Sequence, residues 1–220
     1  MTRLQIEIGR LKKMILALGA VAEDAMKKSV LALETRDAGL AREIIEDDFK
    51  IDKMEVDLEE EGLKILALHQ PVAIDLRFIV AVLRINSDLE RIGDLAVNLA
   101  ERALFLSSRE PLEVPLNLAG MAQKAQEMLE KSLDALVNMD AHMAREVLKM
   151  DDEVDEMNSE MFTIIYERIM KNPQRAEDLI HHLSATRHLE RVADHATNIA
   201  EDVIYMVEGE IVRHQAEDFT

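Results

Sequence analysis

Apolar residues, mostly leucine, isoleucine, valine and alanine, recur at spacings of three and four along almost the whole chain, with charged residues between them. This period is typical of amphipathic helices that pack by one face. Asp37 and Asp140 can each cap a following helix. Helix-breaking signals interrupt the pattern at Thr35-Arg36-Asp37, Gln70-Pro71, Ser107 to Pro115, Asn138-Met139-Asp140 and Asn172-Pro173. The pattern therefore predicts six long helices, roughly over residues 3–34, 38–69, 72–106, 116–138, 141–171 and 174–208.

The sequence also repeats itself at an offset of about a hundred residues. LERIGDLAVNLAE at 89–101 matches LERVADHATNIAE at 189–201. Upstream, DAGLAREIIEDDFKIDKM at 37–54 matches DAHMAREVLKMDDEVDEM at 140–157. A repeat this long indicates two copies of one supersecondary unit.

We therefore expect an all-α fold of two tandem, pseudo-symmetric three-helix bundles, the first over residues 1–107 and the second over residues 108–220. With 220 residues, 48% of them hydrophobic, the chain can bury a sizeable core. Its net charge of −18 repels a phosphate backbone, which argues against binding to nucleic acid. Cysteine is absent, so disulfides and thiolate metal sites are excluded. Charged residues interrupt every apolar stretch, so we predict neither a signal peptide nor a membrane helix.

The repeat preserves carboxylates four residues apart on the second and third helices of each bundle. Such residues lie on one face of a helix, where like charges repel by about 0.2–0.5 kcal/mol per pair. A helical projection places Glu90 and Glu190 in line with apolar residues, so we expect the acids to be at least partly buried. The same projection predicts a solvent-facing stripe of Arg77, Arg84, Arg91 and Arg102. The four acidic pairs are Asp48 with Asp52, Glu90 with Asp94, Asp151 with Asp155, and Glu190 with Asp194.

Partly buried carboxylates require a cation, which is either a protein side chain or a metal ion. Arg42 and Arg145 occupy equivalent positions and could reach the acids, but one arginine cannot neutralise each cluster. Oxygen ligands suit hard divalent ions, so we predict bound iron, Mn, Mg, Zn or Ca. The alternative is a salt-bridged structural network. The predicted ligands are the eight paired acids together with Asn98, Glu101, Asn198 and Glu201.

Histidines give weaker evidence. His195 directly follows Asp194 and would favour a transition metal in the second site. His181, His182 and His188 are also consistent with ordinary polar positions on a helix.

These motifs give the chain a resemblance to the PhoU family. It rests on the four acidic pairs and on the strings ERIGD and ERVAD, each followed by Asn-x-x-Glu, and it covers essentially the whole chain. The resemblance implies two three-helix bundles whose acidic motifs can bind multinuclear clusters of iron or other metals. It also implies a cytoplasmic negative regulator of the phosphate-starvation response, which couples the ATPase subunit of the phosphate ABC transporter to a sensor histidine kinase. Such a protein meets the membrane only through its partners, and we expect a homodimer.

We do not expect an enzyme, because no phosphate-binding glycine loop, nucleophile elbow or Cys/His pair is recognisable. A docking adaptor is the leading hypothesis. A carboxylate-bridged metalloenzyme, such as an oxidase or a ferritin-like protein, is the competing one. Those sites carry Glu-x-x-His pairs on two helices, whereas His195 follows Glu190 by five residues. A purely structural helical bundle is the third hypothesis.

Overall fold

The computed structural model describes residues 2–112 and 116–212, and within these ranges the chain is helical with no strand. The all-α prediction is therefore confirmed. Pro115, at the end of the predicted linker, lies outside the described residues. None of the helices described is both long and apolar enough to cross a membrane. The helices are α1 Arg3–Thr35, α2 Ala38–Asp47, α3 Phe49–His69, α4 Ala73–Ser107, α5 Leu118–Asn138, α6 Ala141–Leu148, α7 Asp151–Lys171 and α8 Ala176–Glu208, with a 3₁₀ turn at Pro173–Arg175.

Asp37 and Asp140 cap the helices that follow them, as the sequence predicts. The Asp37 carboxylate accepts hydrogen bonds from the backbone of Gly39 and Leu40, and Asp140 caps α6 in the same way. The preceding helices both end in a left-handed residue, Arg36 at φ 57° and Met139 at φ 54°. The repeat in the sequence is thus also a repeat in backbone conformation.

The prediction of one continuous second helix in each repeat is wrong. The first repeat breaks at Asp48 between α2 and α3, and the second breaks between α6 and α7. At each break the backbone makes a tighter i to i+3 hydrogen bond, from Ile51 N to Asp48 O (2.9 Å) and from Met150 N to Val147 O (3.0 Å). The apolar period continues through these points, so the sequence pattern could not reveal the breaks. Each break places an aspartate, Asp48 or Asp151, at the start of the longer segment, where free backbone N–H groups favour an acid.

The two repeats share one apolar core. Its central helices, α4 and α8, run antiparallel: Arg84 on α4 contacts Asp202, whereas Arg109, two residues after the end of α4, contacts Glu177. Helix α1 packs on α4, α5 packs on α8, and α1 also contacts α5. A Cβ atom on Gly19 would lie only 2.9 Å from Leu133 Cδ2, so glycine permits this close approach of the repeats. Helices α3 and α7 pack mainly on the long helices of their own repeats and leave one face outward.

Candidate functional site

The acidic motifs of the first repeat meet where α3 packs on α4. Asp48 directly precedes α3 and Asp52 lies in its first turn, while Glu90 and Asp94 belong to α4. Burial raises the pKa of Asp48, and repulsion from Asp52 and Asp94 raises it further. Burial also raises the pKa of Glu90, with Asp94 as the next cause. Since these groups act on one another electrostatically, the four carboxylates form one cluster.

The second repeat builds the same cluster between α7 and α8. Burial raises the pKa of Asp151 to about 6, helped by Asp155 and Asp194. Burial and neighbouring carboxylates also raise the pKa of Glu190 and Asp194. The structure therefore brings together the four acids that the sequence pattern paired.

The prediction of partial burial holds for only part of the set. Asp48, Glu90, Asp94, Asp151 and Glu190 are half-buried. Among the other acids predicted as ligands, Glu201 is also half-buried. The remaining four are exposed: Asp52, Glu101, Asp155 and Asp194. Asp52 and Asp155 follow the helix breaks by about one turn, on the outward faces of α3 and α7, which a projection of unbroken helices does not show.

The two clusters differ in their nearest positive charge. Arg91 approaches Glu90 at 3.5 Å and Asp94 at 3.3 Å, so it partly neutralises the first cluster. Arg191, its equivalent, makes no ion pair within 4.0 Å among the described residues, although its charge opposes the rise in the pKa of Glu190. Arg187 also opposes that rise, so positive charge reaches the second cluster from a greater distance, whereas the first cluster has a direct ion pair.

A small residue between the acids sets the approach of the two helices. A Cβ atom on Gly93 would lie 2.9 Å from Ile51 Cδ1. At the equivalent positions the second repeat has Ala193 and Val154, both buried. A larger residue on one helix is thus matched by a smaller one on the other, which keeps the acidic pairs at close range in both repeats.

The predicted asparagine ligands are engaged in other contacts. Asn98 Nδ2 donates to the backbone oxygen of Asp94 (2.8 Å). Asn198 Nδ2 donates to Asp88 Oδ1 (3.1 Å), which also lies 2.8 Å from Nδ1 of His195. His195 and Asn198 thus face α4. Asp88 was not identified from the sequence, because the repeat does not preserve it. The equivalent residue is His188, and this replacement of an acid by a base was the one sign in the sequence that the position differs between the repeats.

The arginines also depart from the predictions. Arg84 reaches across to α8, where its Nη1 lies 3.3 Å from Oδ1 of the buried Asp202, and Arg102 forms an ion pair with Glu101 at 3.0 Å. Arg84 is exposed but Arg77 and Arg102 are half-buried, so the predicted stripe is only partly solvent-facing. The suggestion that Arg145 reaches the acids is wrong, because it pairs with Glu208 near the end of α8.

The chemistry of each cluster suits a hard cation, since its oxygen donors are crowded and incompletely neutralised. In residues 2–112 and 116–212, however, no three His, Asp or Glu side chains converge as a metal-binding group. The acids oppose each other across the helix contact, and side-chain rotation would be needed for them to share an ion.

The family model of the PhoU domain matches this chain twice, at residues 15–103 and 118–203. The chain belongs to the PhoU family. It is 37% identical over 209 residues to the phosphate-specific transport system accessory protein PhoU homolog of Aquifex aeolicus, covering 95% of both chains. The Pseudomonas aeruginosa homolog is 37% identical over 211 residues, with 94% of this chain and 86% of the relative covered.

Solved structures agree with this membership. The crystal structure of PhoU from Pseudomonas aeruginosa superimposes with a TM-score of 0.92 at 35% identity, covering 94% of this chain and all of that one. The phosphate transport system regulatory protein PhoU from Streptococcus pneumoniae gives 0.85 at 29% identity, covering 96% and 99%. The expectation that the chain is not an enzyme is confirmed, because the family consists of accessory and regulatory proteins. The metalloenzyme alternative is not favoured.

Proposed function

We propose that this chain is the accessory protein of a phosphate-specific transport system and acts by docking as a negative regulator of the phosphate-starvation response. The supporting observation is the 37% identity that extends over 95% of both this chain and a relative of that description. Its partners would be the ATPase subunit of the phosphate ABC transporter and a sensor histidine kinase. The protein would work in the cytoplasm as a homodimer and meet the membrane only through these partners.

The acidic clusters would bind divalent metal ions as part of this function. Asp48, Asp52, Glu90 and Asp94 would hold the metal in the first repeat, and their equivalents would hold it in the second. The support is electrostatic: burial, and then repulsion between carboxylates, raises the pKa of Asp48, Glu90 and Asp151, and a cation would relieve that repulsion. The metal would supply positive charge that orders the side chains at the contact of the two helices.

Gene deletion tests the regulatory function directly. A phosphate-starvation reporter in phosphate-rich medium should be silent in the wild type, active in the deletion strain and silent again after complementation. A reporter that stays repressed in the deletion strain contradicts the proposal. Complementation with a folded variant carrying Asp48→Asn, Asp52→Asn, Glu90→Gln and Asp94→Asn shows whether the first acidic cluster takes part in signalling.

A further inference from the structure

Helix α7 carries a contiguous apolar stripe on the face turned away from the core. Phe162, Tyr166 and Met170 are 54%, 58% and 67% exposed. The rings of Phe162 and Tyr166 stack with centroids 6.5 Å apart and an interplanar angle of 11°. Single exposed apolar residues are ordinary on a protein surface, whereas a contiguous apolar patch is typical of an interaction site. We call these three residues the α7 stripe.

Carboxylates lie along one edge of the α7 stripe and at its amino-terminal end. At about 100° per residue, Asp152 and Asp155 continue its line towards the start of the helix within an arc of about 80°. Glu156, Glu160 and Glu167 follow one of its edges, and all five acids are exposed. Lys171, near the end of the helix, is bonded to Glu167 at 3.3 Å. The stripe is therefore an apolar strip with an acidic border along one edge and at one end.

The equivalent face of α3 has a different construction. Phe49, Val56 and Leu63 are exposed there, but they stand seven residues apart. Glu59 occupies the position equivalent to Phe162, and Glu60 lies beside it. Because one repeat folds without a contiguous stripe, the fold itself does not require the α7 stripe in the other.

We propose that the α7 stripe is the docking site for an amphipathic α-helix of a partner protein, a helix whose apolar face is bordered by lysine and arginine. This deepens the proposed function, on which it rests, by naming the surface that docks. From Phe162 to Met170 the stripe extends about 12 Å, which matches a few turns of one helix with apolar anchors three and four residues apart. The acidic border selects a basic partner, since complementary charge at the rim speeds encounter and rejects other partners.

The same border argues against two other occupants. A second copy of this chain would place its own carboxylates against those of the first, at an unfavourable electrostatic cost. An anionic membrane surface would be repelled by Glu156, Glu160 and Glu167.

Peptide binding tests the docking site without requiring the natural partner. The probe is a synthetic amphipathic helix of about 18 residues, about five turns, with leucine on one face and lysine and arginine along its borders. The control peptide keeps the leucines and carries glutamate instead. We expect the wild-type protein to prefer the basic peptide, and the triple variant Phe162→Gln, Tyr166→Gln, Met170→Gln to bind it roughly tenfold more weakly or worse. Glutamine keeps the helix propensity high, and circular dichroism confirms folding.

The matched control is the α3 triple variant Phe49→Gln, Val56→Gln, Leu63→Gln, which should bind as the wild type does. A second variant, Glu156→Lys with Glu160→Lys, should lower the preference for the basic peptide and weaken its binding. Equal loss in both triple variants, or no preference between the two peptides, would overturn the proposal.

Two further measurements decide between occupants. Analytical sedimentation shows whether the wild-type protein forms a dimer that the α7 triple substitution dissociates and the α3 triple substitution does not. Binding to vesicles that contain phosphatidylglycerol shows whether the stripe binds anionic lipid. Either result would overturn the proposal of a partner helix. In the reporter strain the α7 variant should fail to complement while the α3 variant succeeds, and full complementation by both also counts against it. If deletion itself leaves the reporter silent, the regulatory function fails, and the peptide measurements still decide the docking site.

Discussion

Replacing Asp151 by asparagine should stabilise the metal-free protein at neutral pH. Burial first, and then repulsion from Asp155 and Asp194, raises the pKa of this carboxyl from 3.8 to about 6. Each pKa unit corresponds to about 1.4 kcal/mol, so ionised Asp151 costs the fold up to about 3 kcal/mol. Partial exposure and its favourable place at the start of α7 reduce this to roughly 2 kcal/mol.

The sign of the pH dependence follows from linkage. The folded state binds the proton more tightly than the unfolded chain, so stability is highest below about pH 4 and falls as pH rises through about 6. The Asp151→Asn variant lacks this loss. Its melting temperature in EDTA should exceed that of the wild type by about 4–8 °C at pH 7.5 and match it near pH 4. Asp48→Asn, the equivalent change in the first repeat, should act in the same direction.

A melting temperature of Asp151→Asn that is lower than the wild type at pH 7.5, or offset equally at every pH, would refute this reasoning. The first result would mean that the carboxylate is stabilised by contacts that outweigh its burial. The second would mean that the effect comes from packing and not from ionisation.

Three further outcomes are expected. Divalent metal at about a hundred times its dissociation constant should stabilise the protein by about 2.7 kcal/mol, reversibly with EDTA, and Glu90→Gln with Asp94→Asn should remove one of two sites in a metal titration. Gly93→Ala should destabilise by about 1–3 kcal/mol through its clash with Ile51, and adding Ile51→Val should recover most of the loss in a denaturant titration. Asp88→Ala should cost about 1–3 kcal/mol in the same assay, because it leaves two half-buried hydrogen-bond partners, His195 and Asn198, unsatisfied; a neutral result would mean that water replaces the carboxylate.

The helical architecture could be predicted because its signals are local. Capping aspartates such as Asp37 and a period of three and four act within a few residues, and the structure confirms the fold class they predict. The helix breaks escaped prediction because they depend on tertiary packing, in which α2 and α3 each bury a face against α1 and α4. The division of the chain at residues 107 and 108 stays a prediction.

The acidic clusters could be predicted because duplication preserved both members of every pair. Contacts between the repeats left no such signal. The Asp88 contact with His195 joins α4 to α8, and the equivalent position holds His188, so comparison of the two halves hides it. The same holds for Arg84 with Asp202, whose equivalents are Ser184 and Arg102. Comparison of the two repeats therefore predicts contacts within each repeat. Contacts between the repeats can be identified only from the structure.

Divergence of the halves leads to a last prediction, that the two acidic clusters bind metal unequally. Arg91 lies 3.3 Å from Asp94 in the first cluster and would have to be displaced or tolerated by an incoming cation. A unit positive charge a few ångström from a divalent ion costs on the order of 1.5 kcal/mol in water-like surroundings, which is roughly tenfold in affinity.

Calorimetric titration of two variants separates the sites. Glu90→Gln with Asp94→Asn leaves only the second cluster, and Glu190→Gln with Asp194→Asn leaves only the first. The second cluster should bind Mn²⁺ about tenfold more tightly at low salt, and adding Arg91→Gln to the variant that retains the first cluster should remove most of the difference. Equal affinities, or a difference that survives Arg91→Gln, would show that the arginine does not control the site. Any difference in metal affinity would then come from the packing that sets the separation of the carboxylates. That packing involves Gly93 and Ile51 in the first repeat and Ala193 and Val154 in the second.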